Sequence, residues 1–306
     1  MKTRECIVRT GHAIDNPRQL DPSPGLSFMP DKISAGTRSL AKPGSHGATT
    51  RLGPLARIPE VLRGLGFAPQ DILPGLGYEL AFFEDPELPV PYVAASALLA
   101  RCVELTGCAH LGLRIGEGAG PSVLGLAGFV TMNAPDVGTA LLDLVRFLHL
   151  HDRGGVPTLD SVGDTSLLGY MVVEHGVQAV DQIHDLSIAV ACNIMRSLCG
   201  PSWNPTEVLF AHRPPPDTRP WRAFFRSPVR FDAGQCAVAF ASSWLRAPVA
   251  AANPALHRLL ERQAAASRNL AGRSSISSLP ESIFEKSRMS SMIARKHSLL
   301  EWMVCA

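Results

Sequence analysis

Three groups of residues in this chain have the types and spacings that chemistry uses. Asp181, His184 and Asp185 stand at i, i+3 and i+4, so on a helix they share one face, as a metal site or an acid–base pair requires. No fourth ligand at metal-like spacing accompanies them, and the polar face of an amphipathic helix is the plainer account. His149-x-His151 could also coordinate a metal, yet at a helix C-terminus histidines more simply complement the dipole. Gly116-Glu117-Gly118-Ala119-Gly120 is rich enough in glycine to cradle a phosphate. It matches neither G-x-G-x-x-G nor the P-loop and lacks the Lys-Ser/Thr that should follow, which leaves a connecting loop. The chain has no G-x-S-x-G elbow and no H-E-x-x-H helix. These residues predict no enzyme, no cofactor and no metal.

A second kind of candidate is aromatic. Trp203, His212, Trp221 and Phe225, with Phe224, Phe231 and Phe240 close by in sequence, could line a ligand pocket, because such pockets are mostly apolar with a few placed polar groups. Trp203, His212, Trp221 and Phe225 are the ligand-binding candidates. Core packing accounts for most of these aromatics equally well. For His212 a structural hydrogen bond at a strand end is the favoured role.

The elements that must position these groups follow from periodicity. Residues 1–51 carry scattered Gly, Pro, Ser, Thr and Arg without sustained pattern, a composition expected to form a flexible leader. Leu55, Ile58, Leu62 and Leu65 recur at helical spacing, and a second helix is expected from Tyr92 to Leu105 with Val93, Ala97, Cys102 or Leu98, and Leu105 inward. Asn133-Ala134-Pro135-Asp136 is a helix-entry signal, and the helix it opens puts Leu141, Leu144, Val145 and Leu148 on one stripe before Gly154-Gly155. Thr158 to Val162 and Leu167 to Val173 read as partner strands. A long helix from about Gln178 to Leu198 buries Ile183, Leu186, Val190, Ile194 and Leu198. Val208 to Phe210 reads as a strand, and alternation at Val229/Phe231 and Cys236/Val238/Phe240 predicts a β-hairpin from Val229 to Phe240. Asn253-Pro254 starts a last helix, Ala255 to Ala266. The fold class is α+β, with a small antiparallel sheet and a C-terminal hairpin.

Composition narrows the classes. With 46% hydrophobic residues in 306 the chain can fill a real core. Its 29 basic and 27 acidic residues leave a net charge of +2, which makes no overall electrostatic case for nucleic acid. Seven cysteines without a C-x-x-C pair suggest neither a disulfide framework nor a zinc ribbon. No signal peptide is evident, and the most apolar runs are shorter than the roughly 20 residues a bilayer takes. A cytoplasmic protein with no membrane partner is expected.

The stretch from Trp203 to Pro248 carries a more specific message. Its ordered string is Trp203, Pro205, Val208, Phe210, His212, then Phe225, Pro228, Val229, Phe231, then Val238, Phe240, Leu245 and Pro248. It resembles the end of the N-terminal effector-sensing domain of AraC-type transcription regulators, in the branch containing the ornithine-utilisation regulators. His110-Leu111-Gly112-Leu113-Arg114-Ile115-Gly116 and Gly125-Leu126-Ala127-Gly128 are similar to the same branch. The resemblance implies an effector-binding, dimerising domain over residues 52–266, a small-molecule effector, and a homodimer or a heterodimer with intact relatives. Regulators of this type place two helix-turn-helix units after that domain. Residues 267–306 are too few for two such units and are rich in serine and methionine. A truncated regulator is therefore expected, its tail disordered and read out of frame or from unrelated DNA, with direct DNA binding doubtful. The alternative is a stand-alone protein for binding a small metabolite, without a transcriptional role.

Overall fold

The computed structural model describes residues 47–274. The leader and the tail expected from the sequence lie largely outside these residues, but both proposed boundaries move. Strand β1, Thr49–Arg51, already pairs antiparallel with β2, Pro89–Pro91, and Leu52 is 1% exposed. The folded unit therefore includes part of the expected leader. At the other end the last helix continues past Ala266 to Ser274.

Helices α1, Ile58–Gly64, and α2, Pro69–Ile72, each begin with a proline in the first turn, where its missing N–H is not needed. Next come α3, Tyr92–Thr106, and α4, Leu111–Glu117, then α5, Leu126–Met132, and α6, Val137–Phe147. The entry signal before α6 acts through Asp136, whose carboxylate accepts from the Thr139 backbone N–H at 2.8 Å and from its hydroxyl at 2.9 Å. A single 3-10 turn, Leu148–Leu150, carries the chain from α6 toward the sheet.

Strands β3, Gly155–Val162, and β4, Thr165–Val172, form the expected antiparallel pair. Helix α7, Val180–Cys199, follows and buries Leu186, Val190, Ile194 and Leu198 as its spacing predicts, while Ile183 is only half-buried. Each such side chain contributes about 1.5–3 kcal/mol relative to exposure. Strand β5 is Glu207–Leu209, helix α8 is Arg219–Phe225, and strands β6, Val229–Arg230, and β7, Ala237–Ala241, precede the final helix α9, Pro254–Ser274.

The five-stranded sheet runs β3-β4-β7-β5-β6. The hairpin expected between Val229 and Phe240 does not form. Instead β7 pairs antiparallel with both β4 and β5, while β6 pairs parallel with the far side of β5. Their short connection crosses the end of β5, where the Asp232 and Ala233 N–H groups donate to the His212 and Phe210 carbonyls. Burial explains the choice. Ala237, Val238, Ala239 and Phe240 are all buried, on both faces of the sheet, which suits a central strand better than a hairpin arm.

Helix α3 also departs from expectation. Its buried residues are Tyr92, Ala95, Ser96, Leu98, Leu99 and Cys102, whereas Val93 and Leu105 are exposed. A stripe chosen on apolar residues alone is rotated because two polar side chains face inward with partners. Tyr92 meets Tyr170, and Ser96 Oγ donates to the Val93 carbonyl and accepts from the Gln178 N–H.

Candidate functional site

Where α3, α6 and α7 close over β3 and β4, they leave a cavity of about 100 Å³. Leu99, Leu124, Leu144, Leu186, Val190 and Ile194 supply its apolar wall. Arg51, Tyr92, Ser96, His151, Asp152 and Tyr170 supply polar groups. The volume is below the roughly 150 Å³ of an engineered apolar cavity that takes up benzene. A small guest fits this space without movement.

The polar side is held by one buried carboxylate. Asp152 Oδ1 accepts from the backbone N–H groups of Gly154 at 2.8 Å and Gly155 at 3.2 Å, and Oδ2 accepts from the Tyr170 hydroxyl. Tyr170 Oη lies 3.0 Å from Tyr92 Oη. Both glycines are required by close approach: a Cβ on Gly154 would lie 2.2 Å from the Tyr92 ring, and one on Gly155 would lie 1.9 Å from Tyr170 Oη. The Gly154-Gly155 pair therefore seats two phenols rather than ending a helix.

Electrostatics follow from depth. Burial pushes the Asp152 carboxyl up to about 6, against the opposing pull of Tyr170 and the two backbone donors. Burial, reinforced by the Arg51 charge, pushes His151 down to about 4. The imidazole is thus neutral at physiological pH, and its Nδ1 has no hydrogen-bond partner among the described residues. Arg51 is engaged elsewhere: Nε donates to the Leu150 carbonyl at 3.1 Å, and Nη1 meets both the Glu87 carbonyl and its carboxylate at 3.0 Å.

The aromatic candidates sit apart from this cavity. Trp221 and Phe225 are 1% and 0% exposed, and Trp203 is 3% exposed with its ring edge toward Phe240. Trp221 Nε1 donates to Asp185 Oδ1 at 2.8 Å, and His212 Nε2 lies 3.1 Å from the same oxygen. His212 Nδ1 lies 3.0 Å from the Arg213 carbonyl, which can only accept. With Nδ1 donating there, Nε2 and Asp185 Oδ1 must hold a further proton between them. Both groups agree with this: burial raises Asp185, and in His212 burial lowers the imidazole but the bonds to Asp185 and Arg213, together with the Asp185 and Asp181 charges, raise it on balance. None of Trp203, His212, Trp221 and Phe225 lines the cavity.

Asp185 is therefore not on a solvated polar face, although Asp181, one turn earlier, is exposed. His184 lies between them, pushed down to about 4, chiefly by burial. Among the described residues no group of three side chains is placed to hold a metal. The glycine-rich stretch from Gly116 runs from the end of α4 into a 3-10 turn at Pro121–Leu124. No single described helix is long and apolar enough to cross a membrane.

Sequence reasoning missed Tyr92, Asp152 and Tyr170. They come from three separate elements, and no local spacing connects them. The one local signal was Asp152-Arg153-Gly154-Gly155, a carboxylate followed by two glycine N–H groups.

An α+β unit with a mostly apolar cavity and a few convergent polar groups has the form of a small-molecule-binding domain. Residues 66–249 match the arabinose-binding domain of AraC transcription regulator, N-terminal, and the chain belongs to that family. It is 27% identical over 208 residues to the HTH-type transcriptional regulator VirS of Mycobacterium tuberculosis, in strains CDC 1551 / Oshkosh and ATCC 25618 / H37Rv alike. That alignment covers 65% of this chain and 59% of VirS, so the chain spans little more than half the length of these relatives. It is also similar to the crystal structure of transcriptional regulator CdpR from Pseudomonas aeruginosa, with 21% identity, a TM-score of 0.46 and 54% of each chain covered.

Proposed function

We propose that this chain senses a small molecule in the cavity between α3, α6, α7 and the β3–β4 pair, and that occupancy is passed to α9 as part of transcription regulation. The observation that carries the reading is the cavity itself, an apolar chamber with an organised polar side inside an AraC-family sensing domain. Helix α6 supports the output step. Leu144 and, just beyond the helix, Leu148 line the cavity. Neighbouring residues of α6 hold α9: Asp143 Oδ2 lies 2.7 Å from His257 Nε2, and Arg146 pairs with Glu261 at 2.8 Å. Phe147 packs in a small second core with Ala264. A guest that prefers one placement of α6 biases α9 to the same degree that its affinity differs between the two placements.

The reading is that of a cytoplasmic regulator without catalysis, in the branch that its string from Trp203 to Pro248 suggests. Large apolar side chains exposed on α5, α6 and α9, namely Phe129, Leu142 and Leu259, favour self-association or pairing with intact relatives. No DNA contact is assigned to the described unit. The runner-up is a metabolite-binding protein with no transcriptional role, and a link from cavity to α9 distinguishes the two.

The test fills the chamber. Leu144→Trp and Ile194→Trp should abolish binding of small apolar fragments seen by ligand-observed NMR with the whole chain, while circular dichroism stays native. Fragment binding unchanged in both folded variants would place the site elsewhere. Binding that leaves hydrogen exchange in α9 unaltered would favour the runner-up.

A further inference from the structure

The direction of the Tyr92–Tyr170–Asp152 row follows from counting protons, and it constrains what the cavity can accept; this step rests on the cavity reading above. Asp152 as a carboxylate has no proton to give and accepts from Gly154, Gly155 and Tyr170. A phenol carries one proton. Tyr170 has spent its own on Asp152, so across the 3.0 Å contact the Tyr92 hydroxyl donates to the Tyr170 oxygen. Tyr92 lines the cavity, and its Oη is left with lone pairs to offer and no further proton to give. No donor among the described residues reaches it.

His151 is the complementary group. It also lines the cavity, is 6% exposed, and holds Nδ1 without a partner among the described residues. A neutral imidazole nitrogen donates in one tautomer and accepts in the other. Arg51, the cation on this wall, is already engaged by Glu87 and by the Leu150 carbonyl. An anionic head would therefore face the Asp152 carboxylate with its natural counter-charge committed.

The geometry points to a ligand with an uncharged head that carries a hydrogen-bond proton, an alcohol, phenol or amide, on an apolar body no larger than one ring or a short chain. Its proton goes to Tyr92 Oη, and its second hydrogen bond goes to His151. Carboxylates, ketones and ethers of the same shape have no proton to give and leave the lone pairs of Tyr92 Oη desolvated without a donor, which a buried acceptor tolerates poorly.

The test compares cyclopentanol, cyclopentanone and cyclobutanecarboxylate by NMR titration of the whole chain. These probes are close in size and differ in what the head can do. The alcohol is expected to bind more tightly than the ketone or the carboxylate by on the order of tenfold. Tyr92→Phe should reduce the alcohol's advantage over the ketone to about nothing. Tyr170→Phe releases the Tyr92 proton toward the cavity, so the ketone should gain affinity; this variant answers the question independently if Tyr92→Phe does not fold. A ketone or carboxylate that matches the alcohol in the native chain overturns the head-group assignment while leaving the cavity as the binding site. An alcohol preference unchanged in both folded variants overturns it as well, since another group would be responsible. Absence of binding by all three probes removes the cavity reading and this inference together.

Discussion

At His151 and Asp152 two adjacent buried groups are displaced in opposite senses, and each sets its own slope of stability against pH. His151 is lowered on folding, so its contribution is present above about 6.5 and is lost as pH falls through about 4. Asp152 is raised, so its contribution is present below its ordinary value of 3.8 and is lost as pH rises through about 6. Between those limits the two nearly offset. Replacing His151 by Gln removes one slope and leaves the other. Relative to the native chain, the variant should gain about 2–3 kcal/mol of stability between about pH 7 and about pH 4.5, read from urea unfolding at each pH. A difference that does not change with pH would mean that His151 is not desolvated as its burial indicates. The sequence singled out His151 as half of a His-x-His pair; its neighbours on the cavity wall are Asp152 and Tyr170, a phenol from a strand beyond it.

Among the elements, the helices on apolar stripes were legible and the crossings between them were not. The α7 stripe from Leu186 to Leu198 was read correctly because each inward residue is apolar. The α3 stripe was rotated because Tyr92 and Ser96 face inward, and periodicity counts hydrophobicity rather than hydrogen bonds. Short α4 was missed, and what defines it is contact with α7. A Cβ on Gly112 would lie 2.0 Å from the Gln182 carbonyl oxygen, and one on Gly116 would lie 2.6 Å from the Ala189 side chain. Asn193 Nδ2 on α7 donates toward the Gly116, Glu117 and Ala119 carbonyls at 3.0–3.1 Å. Gly112→Ala should therefore destabilise the protein by about 1–3 kcal/mol, despite the better helix propensity of alanine. Gly64→Ala, at a helical site where nothing lies within 4 Å, should be neutral or gain up to about 1 kcal/mol. Thermal unfolding of the two variants separates the cases, and a stable Gly112→Ala protein would contradict the close crossing.

On the scale of the whole molecule, the class of fold and its family were readable, chiefly from the string between Trp203 and Pro248. The strand order was not. Alternation at Val229/Phe231 and Val238/Phe240 announces strands but not which neighbours they take, and β5 stands between the two. The cavity was equally hidden, because its polar side joins residues 92, 151, 152 and 170, which only the tertiary fold brings together.

That strand order has a further consequence during synthesis. Strand β7 occupies the middle of the sheet yet is the last of its strands to be made. A ribosome therefore delivers β3 with β4, and later β5 with β6, as two fragments with open apolar edges, and only the residues up to Ala241 can join them. Nascent chains released at Arg230 should be cleaved rapidly by a protease, whereas chains released beyond α9 should resist it; equal resistance would show that the halves close without their central strand. Until that strand emerges, the growing chain carries two more unpaired β-edges than the finished sheet, those of β4 and β5, which makes the interval before Ala241 the one in which this protein most needs a chaperone.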